Sequence, residues 1–104
     1  MNYTLKGTNI EITDAIRSHL DEHVAKLTKY HSGITVARFE VELTTHHHHK
    51  GKIFRSEGNI SVPGKLLRAE ETHEDLYAAI DSMARTLKRE LVAYKDKWRS
   101  KRSS

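Results

Sequence analysis

The stretch that decides the fold is residues 72–102, which read THEDLYAAIDSMARTLKRELVAYKDKWRSKR. Its large apolar side chains recur at steps of three or four residues, so at about 100° per residue they fall on one side of a helix. They are Leu76, Ile80, Met83, Leu87, Leu91, Tyr94 and Trp98. The spacing predicts one long amphipathic helix whose apolar stripe faces a core. Thr72 is expected to cap its first turn, with Asp75 three residues further on.

The opposite side of this predicted helix is cationic. Its Lys and Arg side chains project within about 120° of one another, and they are Arg85, Lys88, Arg89, Lys95 and Arg99. Surface helices commonly show such charges to water, but the whole chain adds weight to a functional interpretation. Residues 1–84 hold 10 Lys or Arg against 12 Asp or Glu, whereas residues 85–104 hold 8 against 2. This concentration favours a polyanionic partner, and nucleic acid is the commonest one.

Composition excludes several classes of protein. The 104 residues are enough for one domain, expected at 1–99 with a short polar tail at 100–104. Cysteine is absent, which excludes disulfides, thiol catalysis and Cys-based zinc sites. The chain shows neither a signal-peptide pattern nor an apolar run of membrane-spanning length, so we expect a cytoplasmic protein without a membrane partner.

The first 33 residues predict a strand followed by a helix. Alternation at residues 2–7 indicates a short strand closed by Gly7. A helix is expected to start at Thr13 or Asp14, run to about His31 and be stopped by Gly33. Its predicted buried face consists of Ile16, Leu20, Val24, Leu27 and Tyr30.

From Ile34 the apolar period changes to two, which is typical of strands. Phe39, Val41 and Leu43 alternate with charged residues, and a bulge is expected near Ala37 because Ile34 and Val36 are out of phase. A second long strand at residues 53–62 forms a hairpin with the first. A type II turn at residues 63–64 leads to a short strand at 66–70. The predicted fold is α+β with order β-α-β-β-β-α, in which two helices pack on one face of a four-stranded sheet and the other face is solvated.

Four consecutive histidines invite a metal interpretation. They are His46, His47, His48 and His49. Successive imidazoles can bind nickel, cobalt or zinc adventitiously, but a functional site usually needs fixed ligands and a second shell, which a hairpin tip does not supply. The remaining histidines, His19, His23, His31 and His73, are expected to be surface or boundary residues.

No recognisable catalytic motif is present. The sequence contains no nucleophile elbow, P-loop, GxGxxG or HExxH pattern. The acidic pairs at 70–71 and 74–75 are expected at the end of a strand and the start of a helix. We therefore predict that the chain is not an enzyme and needs no cofactor.

Two segments carry a resemblance to a known family. Residues 7–17 read GTNIEITDAIR and continue through KLTKY at 26–30, while residues 75–81 read DLYAAID and continue to YKDK at 94–97. They resemble the first- and second-helix patterns of the ribosome hibernation promoting factors and the related ribosome-associated inhibitor A. The resemblance implies a fold similar to double-stranded RNA-binding domains and a stationary-phase protein that occupies the decoding region of the small subunit.

The resemblance also implies partners and site residues. The partners are the 30S subunit, the 70S ribosome and 16S rRNA. The chain is similar to the short form, which implies that it promotes inactive ribosome dimers together with a ribosome modulation factor and is a monomer when free. The implied rRNA-contacting surface lies between the two helices, and its residues are Lys26, Lys29, Arg85, Lys88, Arg89 and Lys95.

The sequence thus predicts a non-enzymatic factor that blocks messenger and transfer RNA binding and inhibits translation. Two alternatives remain open. One is a general structured-RNA-binding module without ribosome specificity, and the other is a metal-dependent hydrolase that uses the histidine run.

Overall fold

The computed structural model describes residues 2–44 and 51–103, with side chains described up to residue 97. The elements in chain order are β1 (Thr4–Thr8), α1 (Asp14–Tyr30), β2 (Val36–Thr44), β3 (Ile53–Val62), β4 (Lys65–His73) and α2 (Leu76–Ser103). This order and the four-stranded sheet confirm the predicted α+β fold class. The four consecutive histidines lie outside the described residues.

The sheet has the strand order β1-β2-β3-β4. Strand β1 is parallel to β2, and a parallel neighbour requires a crossover, which α1 provides. Strands β2, β3 and β4 pair antiparallel. The predicted bulge near Ala37 is wrong: the β2–β3 register runs without interruption, and Ala37 lies opposite Ile60 and is buried. Val36 is the first residue of β2 and lies on the opposite face from Ala37, and Ile34 lies before the strand begins. The change of phase therefore requires no extra residue in the strand.

The apolar stripe of α2 packs against the sheet as predicted. Its members from Leu76 to Leu91 are buried, while Tyr94 is half-buried and its hydroxyl donates to the carbonyl of Pro63 at 2.7 Å. The side chain of Trp98 lies outside the described residues. The helix extends to Ser103 and so includes most of the segment predicted as a tail. Within the described part of the chain, no helix is long and apolar enough to cross a bilayer.

The ends of α1 follow from local hydrogen bonding. Of the two predicted caps, Thr13 and Asp14, the structure uses Thr13, whose hydroxyl accepts from the backbone N–H of Ile16 at 3.2 Å. The helix ends at Tyr30 because His31 adopts an extended conformation, so the prediction that Gly33 stops it is wrong. Gly33 instead leaves room for the ring of His31, since a Cβ there would lie 2.8 Å from its Nε2 atom.

The start of α2 differs from the prediction. Strand β4 is longer than the expected 66–70 segment, and Thr72 lies within it opposite Arg55. Thr72 is therefore not the cap. Asp75 takes that role, because its carboxylate accepts from the backbone N–H of Tyr77 at 2.9 Å.

A glycine brings α2 close to the sheet. Gly58 lies in β3 opposite Ala69, and a Cβ built on it would lie 2.6 Å from Met83 Sδ and 2.7 Å from Leu87 Cδ1. Atoms at these distances overlap, so only a residue without a side chain permits this approach. The helix is thereby fixed at a set height and rotation over the sheet.

The outer face of the sheet is held by a network around one arginine. The guanidinium of Arg55 donates to four carboxylates at 2.7–2.8 Å, those of Glu40, Glu42, Glu57 and Glu70. Only 18% of the Arg55 side chain is exposed, so this face is less solvated than predicted. Hydrogen bonds from Asn59 and then Arg55 lower the pKa of Glu57 to about 2, and bonds to Glu42 above all raise the pKa of Arg55.

We predict that Gly58→Ala destabilises the protein by about 1 to 3 kcal/mol, because the added methyl group overpacks the contact with α2. Ser56→Ala is the matched control two residues away on the same strand. Ser56 is fully buried, and its hydroxyl has no hydrogen-bond partner among the described residues, so its removal should change stability by less than about 0.5 kcal/mol or increase it. Urea unfolding of both variants tests this, and equal effects would contradict the role given to Gly58.

We predict that Arg55→Gln lowers the unfolding free energy by about 2 to 3 kcal/mol at pH 7, because four carboxylates lose their shared partner. The effect should shrink towards pH 4, where unpaired carboxylates take up protons. In the unaltered protein the pKa of Glu57 is lowered to about 2. The contribution of this residue to the unfolding free energy is therefore complete above about pH 4.5 and is lost as the pH falls through about 2. Arg68→Gln is the control, since this side chain is 55% exposed and its removal should matter little. A destabilisation that is the same at both pH values would contradict the electrostatic explanation.

Candidate nucleic-acid interface

A groove of about 400 Å³ lies between the two helices. It is lined by His23, Lys26, Leu27, Asp81, Ala84, Arg85 and Lys88. Leu27 and Ala84 are buried and form its floor, while Lys26 and Arg85 are exposed. The structure thus brings together three of the six predicted rRNA-contacting residues, one from α1 and two from α2.

The helical periods explain this convergence. On α1, Lys26 and Leu27 lie three and four residues after His23; on α2, Ala84, Arg85 and Lys88 lie three, four and seven residues after Asp81. Side chains at this spacing lie on one face of a helix. These two faces meet across the groove.

Two cations of α2, the groove residue Lys88 and Lys95, converge on the end of α1. The Nζ atoms of Lys88 and Lys95 lie 4.2 and 4.4 Å from the centroid of the Tyr30 ring, a cation–π geometry. Lys95 also donates to the backbone carbonyl of Tyr30 at 3.1 Å. Since Tyr30 is the last residue of α1, this bond satisfies a helix-terminal carbonyl. Lys95 therefore joins the two helices, and Lys88 connects this contact to the groove.

Lys29 and Arg89 lie outside the groove lining. Lys29 is exposed in the last turn of α1. Arg89 is exposed, and its guanidinium donates to the hydroxyl of Thr86 at 3.1 Å, while Thr86 donates to Glu71 on β4 at 3.1 Å. Neither residue lines the groove, and the contacts of Arg89 lead towards β4 and not towards α1.

The two faces of the molecule differ in how their charges are matched. On the outer sheet face four carboxylates surround Arg55 with Arg68 at their edge, and Lys6 and Arg38 lie on the same face, so carboxylates and cations balance there. The groove lining instead holds three cations against Asp81, an excess that attracts a polyanion. Among the described residues, the lining of the groove holds no Phe, Tyr or Trp side chain, so the geometry favours contacts to phosphates over stacking on bases.

One cluster was not foreseen from the sequence. The Nε2 atoms of His19 and His23 lie 2.7 and 2.6 Å from the same oxygen of Asp81, across the contact between the helices. Partial burial raises the pKa of Asp81, but the bonds from His23 and His19 outweigh it and hold that pKa below its usual range. The spacing of His19 and His23, four residues apart, can be seen in the sequence. Asp81 is not a foreseeable partner, because it is 58 residues away from His23 and meets it only through the packing of α2 on α1.

Comparisons with known proteins agree with this architecture. The chain is 35% identical over 100 residues to the ribosome hibernation promotion factor of Deinococcus radiodurans, covering 96% of this chain and 52% of that protein. It is 36% identical over 95 residues to the factor of the same name from Staphylococcus aureus, covering 91% of this chain and 48% of that protein. The chain therefore spans about half the length of these curated relatives.

Solved structures share the fold. The N-terminal domain of Protein Y from Thermus thermophilus superposes with a TM-score of 0.78 at 38% identity, covering 90% of this chain and 99% of that one. A ribosomal subunit interface protein from Coxiella burnetii superposes with a TM-score of 0.81 at 18% identity, covering 92% and 99%, and at that identity the likeness concerns the fold alone.

The family comparison covers nearly all of the chain. The model of the family described as "Sigma 54 modulation protein / S30EA ribosomal protein" matches residues 3–99, a range that includes every strand and the two helix faces that form the groove. Together with the relatives above, this match shows that the chain belongs to the Sigma 54 modulation protein / S30EA ribosomal protein family.

Proposed function

We propose that this chain is a ribosome hibernation factor. It binds the decoding region of the small subunit, where it excludes messenger and transfer RNA and so inhibits translation in stationary phase. Support comes from the family and from two relatives named ribosome hibernation promotion factor, each at least 35% identical over more than nine-tenths of the chain. The action is one of binding and occlusion, not of catalysis, and it belongs in the cytoplasm.

The observation that carries the proposal is the cationic groove between α1 and α2. Lys26, Arg85 and Lys88 line it. Lys95 lies with Lys88 over the Tyr30 ring, and the remaining predicted contacts, Lys29 and Arg89, are exposed on the same two helices. Folded rRNA presents phosphates from neighbouring strands, which two rows of cations on adjacent helices can bind together. On the outer sheet face the cations pair with carboxylates or lie beside them, so the protein binds with its helices towards the RNA.

The proposed partners are the 30S subunit, the 70S ribosome and 16S rRNA. A monomer is the binding species, since one chain supplies both walls of the groove. We also propose that the chain promotes inactive ribosome dimers together with a ribosome modulation factor. The curated relatives are about twice as long as this chain, so activities that depend on their additional length are not assigned to it.

A general structured-RNA-binding module is the second candidate. The feature that favours it is the groove lining, which holds no Phe, Tyr or Trp side chain among the described residues, because contacts made by charge alone do not read sequence. Such a module would bind any compact RNA of similar shape. Binding specificity therefore distinguishes the two candidates.

Sucrose-gradient sedimentation of the purified protein with 70S ribosomes, free subunits and an arbitrary structured RNA separates the candidates. We expect co-migration with the 30S and 70S particles that saturates near one copy per particle. The arbitrary RNA should bind far more weakly at the same salt concentration, and messenger RNA bound beforehand should reduce binding of the protein. Equal affinity for the arbitrary RNA would support the general module and contradict the proposed function.

A pair of double variants tests the binding face. We predict that Arg85→Gln with Lys88→Gln strongly weakens ribosome binding and reduces the log–log salt slope by roughly 0.7 to 0.9 for each phosphate that is no longer neutralised. The matched control is Lys6→Gln with Arg38→Gln, which removes the same charge from the other face of the sheet, since these positions alternate with the inward-facing Leu5 and Phe39. The control should bind as the unaltered protein does.

Thermal melting shows whether each variant is folded before its binding is compared. Removal of the Lys88 ammonium from the face of the Tyr30 ring should lower stability by only about 0.5 to 1 kcal/mol. If both double variants weakened binding equally, net charge and not the groove would account for affinity. If neither did, the groove would have no part in the interaction.

A further inference from the structure

The cluster of His19, His23 and Asp81 has the composition and geometry of a metal site. Each residue offers one ligand atom, and the three atoms lie within 4.8 Å of one another. The side chains are 28%, 22% and 42% exposed, so an ion can enter from solvent and a water molecule can complete its coordination. The rings of Tyr77 and His19 pack nearly perpendicular to each other with centroids 5.1 Å apart, which restricts the orientation of the imidazole.

Little movement is needed to admit an ion. Zinc bound at about 2.0–2.2 Å separates adjacent tetrahedral ligand atoms by roughly 3.3 Å. The present Nε2 to Oδ1 distances are 2.7 and 2.6 Å, so the carboxylate has to withdraw by less than about 1 Å. The two imidazole nitrogens lie within 4.8 Å of each other and have to approach by at most about 1.5 Å, a shift that small rotations of these partly exposed side chains supply. The neutral imidazoles carry their proton on Nε2 when they donate to Asp81, and on metal binding that proton is carried on Nδ1 instead.

The ligand types select the class of ion. Two imidazole nitrogens and one carboxylate oxygen suit borderline divalent cations such as Zn²⁺ and Co²⁺ and not Mg²⁺ or Ca²⁺, which prefer all-oxygen sites. Two histidines at i and i+4 on one helix with a carboxylate from another helix also form the ligand set of zinc hydrolases. In those enzymes a glutamate follows the first histidine and acts as the general base. Here that position is Leu20, which is 1% exposed, so the arrangement provides ligands without a base.

We propose that His19, His23 and Asp81 form a structural binding site for a divalent cation of the zinc class, which joins α1 to α2. The ion replaces two hydrogen bonds between the helices with three coordinate bonds. It also neutralises Asp81, the only carboxylate among the described residues that line the groove. The site is distinct from the run at 46–49, and metal binding to it does not depend on the proposed ribosomal function.

The test begins with a parent protein in which the run at 46–49 is replaced by Ser and Asn, so that adventitious binding there is removed. Titration with Co²⁺ is followed by visible absorption, and Zn²⁺ is then added as a competitor. We expect one Co²⁺ to bind per chain, with visible absorption as intense as that of four- or five-coordinate Co²⁺, and Zn²⁺ to displace it fully. The thermal unfolding midpoint should rise with Zn²⁺ concentration. Absence of one-to-one binding in this parent would overturn the proposal.

Ligand variants identify the residues. His23→Gln and Asp81→Asn should each weaken Co²⁺ binding by more than the 10- to 100-fold that changes to outer-shell partners cause, whereas His73→Gln is the matched control and should bind as the parent does. Binding that survives in both ligand variants would overturn the assignment. NMR spectra of the imidazole groups in the parent provide a measurement that needs no ligand variant. Zn²⁺ should shift the signals of His19 and His23 and leave those of His73 in place. The reverse pattern would contradict the proposal.

Discussion

The close contact between α2 and the sheet at Gly58 is the constraint on which the rest of the structure depends. Met83 and Leu87 pack where a side chain on Gly58 would lie, and the helix is held there with one stripe fully buried. Because a helix is rigid, fixing that stripe also fixes the direction of every other side chain on it. Arg85 and Lys88 are consequently directed to the edge shared with α1, and Asp81 towards His19 and His23.

The two layers hold their charges differently. On the outer sheet face Arg55 pairs with four carboxylates at once, so the charges there are largely matched, whereas the groove between the helices has three cations against one carboxylate. This excess attracts a polyanion to the helices and favours correct orientation before close contact forms. The network around Arg55 stabilises the sheet and keeps its charged groups engaged with one another.

The fold could be predicted because it depends on local periodicity, whereas the groove residues Lys26, Arg85 and Lys88 were implied by the family resemblance. The period of three or four residues indicated α2, and alternation indicated β3 at residues 53–62 as observed. Errors arose where a choice depended on tertiary pairing: Thr72 has a good capping side chain, but strand pairing with Arg55 takes it into β4. The cluster at Asp81 and the contact of Lys95 with Tyr30 join residues about 60 positions apart, and no local pattern indicates such partners. Whether the six predicted cations contact rRNA stays a prediction.

The central claim is that the two helices, and not the sheet, face ribosomal RNA. A cryo-electron microscopy reconstruction of the chain bound to the small subunit measures this directly. The account predicts rRNA phosphates in the groove between α1 and α2, within hydrogen-bonding distance of Lys26, Arg85 and Lys88, with the Arg55 network turned towards solvent. Density that places the outer face of the sheet against rRNA, with the groove open to solvent, would contradict it.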